Sequence, residues 1–350
     1  MNRYYTKRCV LAALFWSLVS SAAAADISML IYHRFGEADL PSTNVTLEQL
    51  ENHIELIKSG AYTTLSVSDL EPILKQGAPM PDQGLVFTAD DAFRSFMTEA
   101  WPRLKAAGIP ATLFISTDPV DNATPNSRYL TWDDVRALKA DGVEIGHHGA
   151  GHIHLPRIPL EQAIADIERA SEVFMRELGE VPDIFAYPYG EYNADLAKYL
   201  EEQGFKIALA QYSSAIDERS DPYALPRFPM NERYGDTARF RLVSRALALP
   251  AKDILPRDPE LSLENNPPLF GFTVSQNIPN LSSLNCYPSH LGEPAKIETL
   301  PSETGSLRLE VRFEKPFPKG RSRINCTMQD RSGRWYWFGR PFFVPGGALN

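Results

Sequence analysis

Short apolar runs alternate along the chain from residue 27 with longer stretches whose apolar positions recur at helical spacing. Ile27-Ser28-Met29-Leu30-Ile31-Tyr32-His33 reads as a strand. Leu47, Leu50, Ile54 and Ile57 mark a helix over 46–59, with Thr46 as its cap and Gly60 as its stop. Further strands are expected at 63–67, at Leu85-Val86-Phe87-Thr88-Ala89 running into Asp90-Asp91, and at 111–116, 143–146, 183–187, 206–211 and 225–230. Helices are expected at 68–76, from Asp91 through Ala106 to a stop at Gly108, from Thr131 to a stop at Gly142, and at 160–178, 193–203 and 236–247. Such alternation builds parallel sheets with right-handed crossovers. It predicts an α/β fold over 26–250, a distorted or incomplete (β/α) barrel.

The texture changes after Pro250. Pro250, Pro256, Pro259, Pro267 and Pro268 suggest a Pro-rich linker over 251–268. Beyond it, alternating runs at 269–274, 307–313, 324–328 and 335–344, separated by turn-forming residues, predict a small all-β sandwich-like domain over 269–350. Within it Trp335-Tyr336-Trp337-Phe338 alternates aromatics. Trp335 and Trp337, two apart, are expected to share one face in the sandwich core, the alternative being exposed rings that stack on sugars.

The first 25 residues stand outside this pattern. Lys7 and Arg8 precede an apolar stretch from Val10 to Val19 and a small-residue region from Ser21 to Ala25, the order of a secretory signal peptide. A retained anchor is the alternative, disfavoured because the apolar stretch is short for a bilayer. The expected product is exported, to the periplasm or the medium, with no stable membrane insertion. The chain carries 35 Lys and Arg against 44 Asp and Glu, and cleavage would remove three basic residues and no acids. A field of that sign disfavours nucleic acid and anionic lipid as partners. Cys286 and Cys326 remain, and an even count in an exported protein reads as one disulfide, worth about 4 kcal/mol in the chain-entropy model.

In a (β/α) barrel, chemistry collects at the carboxyl ends of the strands, and His33, Asp90, Asp91, His148, Tyr189 and Arg227 fall there. The two adjacent carboxylates admit two readings: a cap for the following helix, or one carboxylate on a metal and the other free as a base. His148-Gly149-Ala150-Gly151-His152 spaces two imidazoles so that one helical turn would bring both rings to one metal ion. Two histidines and a carboxylate leave a coordination position for water. His147 and His154 flank the pair and blur the choice. Phe185-Ala186-Tyr187-Pro188-Tyr189-Gly190 is a strand entering a fixed turn, where tyrosines offer a wall and a phenolic donor; a purely structural turn accounts for it equally.

Taken in order, Thr88-Ala89-Asp90-Asp91-Ala92, Gly146-His147-His148-Gly149-Ala150-Gly151-His152 and Ala186-Tyr187-Pro188-Tyr189-Gly190 resemble the three motifs of the polysaccharide deacetylase family (carbohydrate esterase family 4). Together with Ile31-Tyr32-His33-Arg34-Phe35 they look most like its permuted poly-N-acetylglucosamine deacetylase branch. The resemblance implies an exported, metal-dependent hydrolase that removes acetyl groups from an acetylated polysaccharide or oligosaccharide, most often N-acetyl groups of a hexosamine polymer. It implies that Asp91, His148 and His152 bind a divalent metal such as Zn2+, that Asp90 is the general base and that His33 supplies the acid. Tyr187, Pro188, Tyr189 and Arg227 are expected to face substrate. Three positions depart from the family pattern: Ala92 stands for a glycine, Gly149 for a hydroxyl residue and Ala186 for the arginine that orients the base, a task Arg227 can assume from a neighbouring strand end. These departures also motivate the alternative of a non-catalytic glycan-binding protein. A glycoside hydrolase using Asp90 and Asp91 is disfavoured, because neighbouring strand residues face apart.

Overall fold

The computed structural model describes residues 26–346; the expected signal peptide lies outside them. Its first sheet is built from β1 (Ile27–Tyr32), β2 (Thr63–Leu65), β3 (Gly84–Ala89), β4 (Thr112–Ile115), β5 (Glu144–His147), β6 (Ile184–Ala186), β7 (Ile207–Leu209) and β8 (Phe228–Pro229). All pair in parallel, in the order β8-β1-β3-β4-β5-β6-β7, with β2 against the first half of β3. β1 and β3 are buried at every position, as strands must be when helices cover one face and a barrel interior fills the other. Leu225 bridges Leu209 while Phe228 pairs with Leu30, so one short segment touches the last strand and the first and the sheet curls into a barrel.

The helices follow from local chemistry. Thr46 and Gln49 form a reciprocal capping box at the start of Leu47–Ser59, and Thr131 with Asp134 does the same for Trp132–Ala140. Leu160–Leu178 lays Ala163, Ile167, Ala170, Val173 and Phe174 against the sheet. Two helices differ from the pattern reading. The last stops at Val243, because Leu247–Ala248 (β9) instead pairs with Tyr336 and Trp337. The helix after Asp91 is held off by a left-handed turn at Asp91 and Ala92 and a bridge between Phe93 and Tyr129, and it contains a π-helical turn, Phe96–Ala100. Neither carboxylate therefore caps it.

The C-terminal region adds β10 (Lys252–Leu255), β11 (Phe270–Ser275), β12 (Asn285–Pro288), β13 (Lys296–Pro301), β14 (Ser306–Arg312), β15 (Gly320–Gln329) and β16 (Trp335–Val344). Two four-stranded sheets, β9-β16-β15-β12 and β10-β11-β14-β13, enclose Phe270, Phe272, Val274, Leu309, Val311, Ile324, Met328, Phe338 and Phe342. Cys286 and Cys326 stand directly opposite on β12 and β15 and are disulfide-bonded.

Two expectations change here. The proline-rich passage is no free linker: β10 pairs with β11, Leu261 is buried, and the Phe343 amide donates to Pro259. The aromatic run divides differently too. Phe338 enters the sandwich core, whereas Trp337 meets Phe228 of the barrel edge-on at 5.4 Å and donates to Asn325. The sheet carrying Trp337 is covered by the barrel on that side, a second apolar neighbour that no strand periodicity reveals.

Two fully buried histidines make the fold acid-sensitive. His53 lies between the Tyr32 hydroxyl and the Gly235 carbonyl and stacks on Phe240. Burial lowers His53 to about 4 and His147 to about 3, from an ordinary 6.5. Below 6.5 the unfolded chain binds protons that the folded chain refuses, so this stability is full above that pH and drains as pH falls towards 4, by about 1.4 kcal/mol per group per pH unit. Asp26 works the other way, since burial raises it to about 6 from 3.8. Two groups outweigh one, so the melting temperature is expected to fall between about pH 6.5 and pH 4.5. A constant or rising value across that interval would contradict this.

Candidate active site

Asp90 follows the last residue of β3, its amide still donating to the Tyr32 carbonyl as the ladder ends. Its side chain is buried and is gripped by Arg227 through two bonds, Nη1 to Oδ1 at 2.6 Å and Nη2 to Oδ2 at 2.9 Å. Arg227 is itself fully buried; its Nε donates to the Ala210 carbonyl and Nη1 also to Thr88. A guanidinium presents this planar fork where an ammonium cannot. Burial pushes the Asp90 carboxyl up, but the Arg227 charge, with His148 and His33, outweighs it and holds Asp90 below the usual carboxylate range.

Asp91 has φ of 74° and Ala92 of 53°. This left-handed turn brings the second carboxylate to the rim that its strand parity would deny it, and it explains why a glycine suits position 92 better than alanine. The Asp91 Oδ1 oxygen is buried without a hydrogen-bond partner. Two imidazole nitrogens converge on it, Nε2 of His152 at 3.1 Å and Nε2 of His148 at 3.5 Å. Ligand atoms of the three residues all lie within 4.8 Å of one another. His148 Nδ1 is 2.6 Å from the Ala186 carbonyl, which makes that nitrogen the donor and leaves Nε2 with its lone pair free. An orphaned carboxylate oxygen, two imidazoles and a fixed tautomer fit a divalent cation of the zinc type. Burial works against the charge on Asp91, yet its contacts with His148 and His152 carry it well below the ordinary range; the same carboxylate raises His152 despite burial.

The two histidines do not share a helical turn. The segment after β5 is irregular, with Gly149 at φ 70° and His152 at φ 49°. Asp166 shapes it, accepting from the amides of Ala150 at 2.8 Å and Gly151 at 3.0 Å. A Cβ at position 149 would sit 2.8 Å from Asp166 Oδ2, so glycine is what admits this carboxylate. Asp166 went unremarked in the sequence, although a signal exists: it is the one acid among the buried positions of Leu160–Leu178.

His33 follows β1 at the same rim and feels the Asp91 and Asp90 carboxylates; burial is the stronger influence and lowers it. Tyr189, at φ 60°, stacks on His154 at 3.8 Å and lies 4.4 Å from the His152 ring. Three residues expected to face substrate do not. Tyr187 is fully buried with its hydroxyl on the Tyr223 carbonyl, Pro188 is buried under the turn, and Arg227 is sealed behind Asp90. Strand parity would send Tyr187 and Tyr189 to the same face; the left-handed turn at Tyr189 parts them, leaving Tyr187 in the apolar layer and Tyr189 at the rim. Glu191 and Arg321 also escaped notice: Glu191, nearly inaccessible, takes Arg157 and His154, and Arg321 of β15 donates to the Tyr189 carbonyl at 3.0 Å.

Residues 77–208 match the polysaccharide deacetylase family model. A putative polysaccharide deacetylase of Bacillus subtilis, YxkH, is 22% identical over 209 residues, 60% of this chain and 73% of its own length. A poly-beta-1,6-N-acetyl-D-glucosamine N-deacetylase of Staphylococcus aureus is 22% identical over 216 residues, 59% of this chain and 74% of its own. The Streptococcus pyogenes deacetylase PplD, solved in complex with acetate, superimposes with a TM-score of 0.57 at 17% identity, over 63% of this chain and 99% of its own, so it shares the fold and lacks a counterpart to the remainder. The segment that matches the polysaccharide deacetylase family model spans the two carboxylates, the histidine pair and the Tyr-Pro-Tyr-Gly turn.

Proposed function

We propose that the protein is an exported, metal-dependent polysaccharide deacetylase that hydrolyses acetyl groups, in the first instance the N-acetyl groups of a hexosamine polymer. The observation that carries this is the convergence of two imidazole nitrogens on a buried, unpartnered oxygen of Asp91, beside a second carboxylate kept ionised by Arg227. The staphylococcal relative's named activity supports poly-N-acetylglucosamine as the substrate class.

Asp91, His148 and His152 would hold the cation, Zn2+ by the chemistry of the donors. When bound, it supplies a Lewis acid that polarises the acetyl carbonyl and favours ionisation of the attacking water. Asp90, ionised and fixed by two hydrogen bonds, takes a proton from that water. It does not swing away to be protonated elsewhere, because both its oxygens are tethered. His33, at the same rim, would in its protonated form give a proton to the departing amine, without which the C–N bond reforms. Tyr189 walls the site beside His152 and offers the phenolic contact to the sugar.

The three departures from the family pattern each have a local compensation, which favours turnover over binding alone. Arg227 stands in for the missing arginine at Ala186, Gly149 admits Asp166, and Ala92 adopts the left-handed turn despite its Cβ.

Metal analysis of purified wild type and His148→Ala, with acetate release from acetylated chitooligosaccharides, tests the reading. Wild type is expected to hold one equivalent of metal and to lose acetate release to a chelator; His148→Ala is expected to hold none. Equal metal in the two proteins sinks the triad. Glycan binding without acetate release from any substrate favours the non-catalytic alternative.

A further inference from the structure

The deacetylase centre opens beside a cleft that the barrel does not form alone. It has a volume of about 510 Å³ and is lined on the barrel side by Tyr189, Gln211 and Tyr234 and on the sandwich side by Arg321, Arg323 and Phe343. Tyr189 belongs to both places, since its ring lies 4.4 Å from His152. A sugar in the cleft therefore adjoins a sugar presented to the Asp91 cluster. PplD has no counterpart to the rest of this chain, which contains the sandwich wall.

The cleft's charge runs opposite to that of the molecule, which is −9 overall. Arg321 and Arg323 alternate with buried Gly320, Ser322 and Ile324 on β15, so both guanidinium groups emerge from one face. Among the described residues that line the cleft, one acid answers them. Glu191 lies 3.4 Å from Arg321, but it is already engaged by Arg157 at 2.8 Å and His154 at 2.7 Å. Arg323 uses its amide on Ser289, and among the described residues its guanidinium has no carboxylate within ion-pair distance. Its charge instead presses on Arg321, whose pKa is lowered by burial first and by Arg157 and Arg323 as well. Two neighbouring guanidinium groups with an unneutralised charge, facing a cavity of sugar size, are a receptor for an anion.

We propose that this cleft is a second glycan subsite, which holds a negatively charged sugar beside the acetylated residue being processed, with Arg323 and Arg321 binding its anionic group. The substrate would then be an N-acetylhexosamine polymer that also carries anionic groups. This deepens the deacetylase reading and depends on it for the neighbouring sugar, but not for the binding of the charged one.

The test uses the full-length protein with three oligosaccharides of equal length: a neutral N-acetylhexosamine oligomer, the same oligomer bearing a phosphate monoester, and an alternating N-acetylhexosamine–uronate oligomer. Affinity is measured by calorimetry with chelator present, and acetate release without it. Wild type is expected to bind at least one charged oligomer about tenfold more tightly than the neutral one, the scale of one charge-assisted hydrogen bond. Whichever charged oligomer is preferred identifies a carboxylate or a phosphate as the group recognised. Arg323→Gln is expected to erase that preference and Arg323→Glu to reverse it, both leaving neutral-oligomer affinity and melting temperature unchanged. Equal binding of all three by wild type, or a preference that survives Arg323→Glu, overturns the subsite. Arg323-dependent binding without acetate release supports the subsite and removes the deacetylase reading. Acetate release without any Arg323-dependent preference does the reverse.

Discussion

Asp90→Asn is expected to cut acetate release about 10²- to 10⁴-fold, the usual worth of a general base, while bound metal stays at the wild-type level. The separation follows from geometry. Asp90 Oδ2 lies 3.9 Å from His148 Nε2, farther than the Asp91 oxygen at 3.5 Å on which both histidines converge, and its own oxygens are committed to Arg227. The substitution is not innocent for stability. Arg227 contacts both carboxylate oxygens, so in either orientation an asparagine turns an N–H towards a guanidinium N–H and leaves a fully buried cation without its counter-charge. Metal content and turnover should therefore be measured where denaturation curves show the variant folded. Loss of metal together with turnover would mean that Asp90 belongs to the ligand set and that the division of labour between the two carboxylates is wrong.

Arg227→Met carries the second large effect. Removing one partner of a buried pair leaves an uncompensated charge, and the expected cost is about 3–5 kcal/mol in a denaturation experiment. A carboxylate so exposed to its own desolvation escapes by taking a proton. Burial already pushes Asp90 upward, and Arg227 is the first of the charges that oppose it. Without Arg227 the Asp90 pKa rises, so the acidic limb of the kcat/KM profile should move to higher pH and part of the lost activity should return on alkalinisation. A purely structural role for Arg227 predicts the stability loss without that shift. Adding Asp90→Asn to Arg227→Met should recover part of the stability, because the stranded charge is gone, and none of the activity. Arg227→Lys should rescue poorly, since an ammonium cannot bridge both carboxylate oxygens and reach the Ala210 carbonyl as well.

Acid sensitivity and catalysis draw on the same feature of the barrel. Its interior and rim hold ionisable groups in a setting that penalises charge, and each is either paired or kept neutral. His53 and His147 stay neutral and make the fold lose stability below pH 6.5, whereas Asp90 and Asp91 stay charged because cations or imidazoles surround them.

The chain's local order carries most of its architecture. Buried strands such as Ile27–Tyr32 and Gly84–Ala89 announce themselves as uninterrupted apolar runs. Thr46 and Thr131 mark helix starts that the structure builds as capping boxes, and the alternation between the two kinds of element implies a parallel sheet before any contact is known. The polar residues that matter at the rim, His33, Asp90, Asp91, His148 and Tyr189, are legible because a strand's end is a local event. What local order cannot carry is anything set by backbone handedness or by a partner distant in sequence. Asp91 reaches the rim only through a left-handed turn, and His148 meets His152 only because Asp166 folds the loop between them. Arg227 finds Asp90 across 137 positions because the curled sheet brings its last strand against its first. Trp337 turns from the sandwich core to the barrel, and Arg321 arrives beside Tyr189, for a further reason: two separately patterned regions pack together. Periodicity records which face of an element is apolar. It does not record what that face will meet, and here that meeting decides which carboxylate is gripped, which tyrosine is sealed away and where a charged cleft opens.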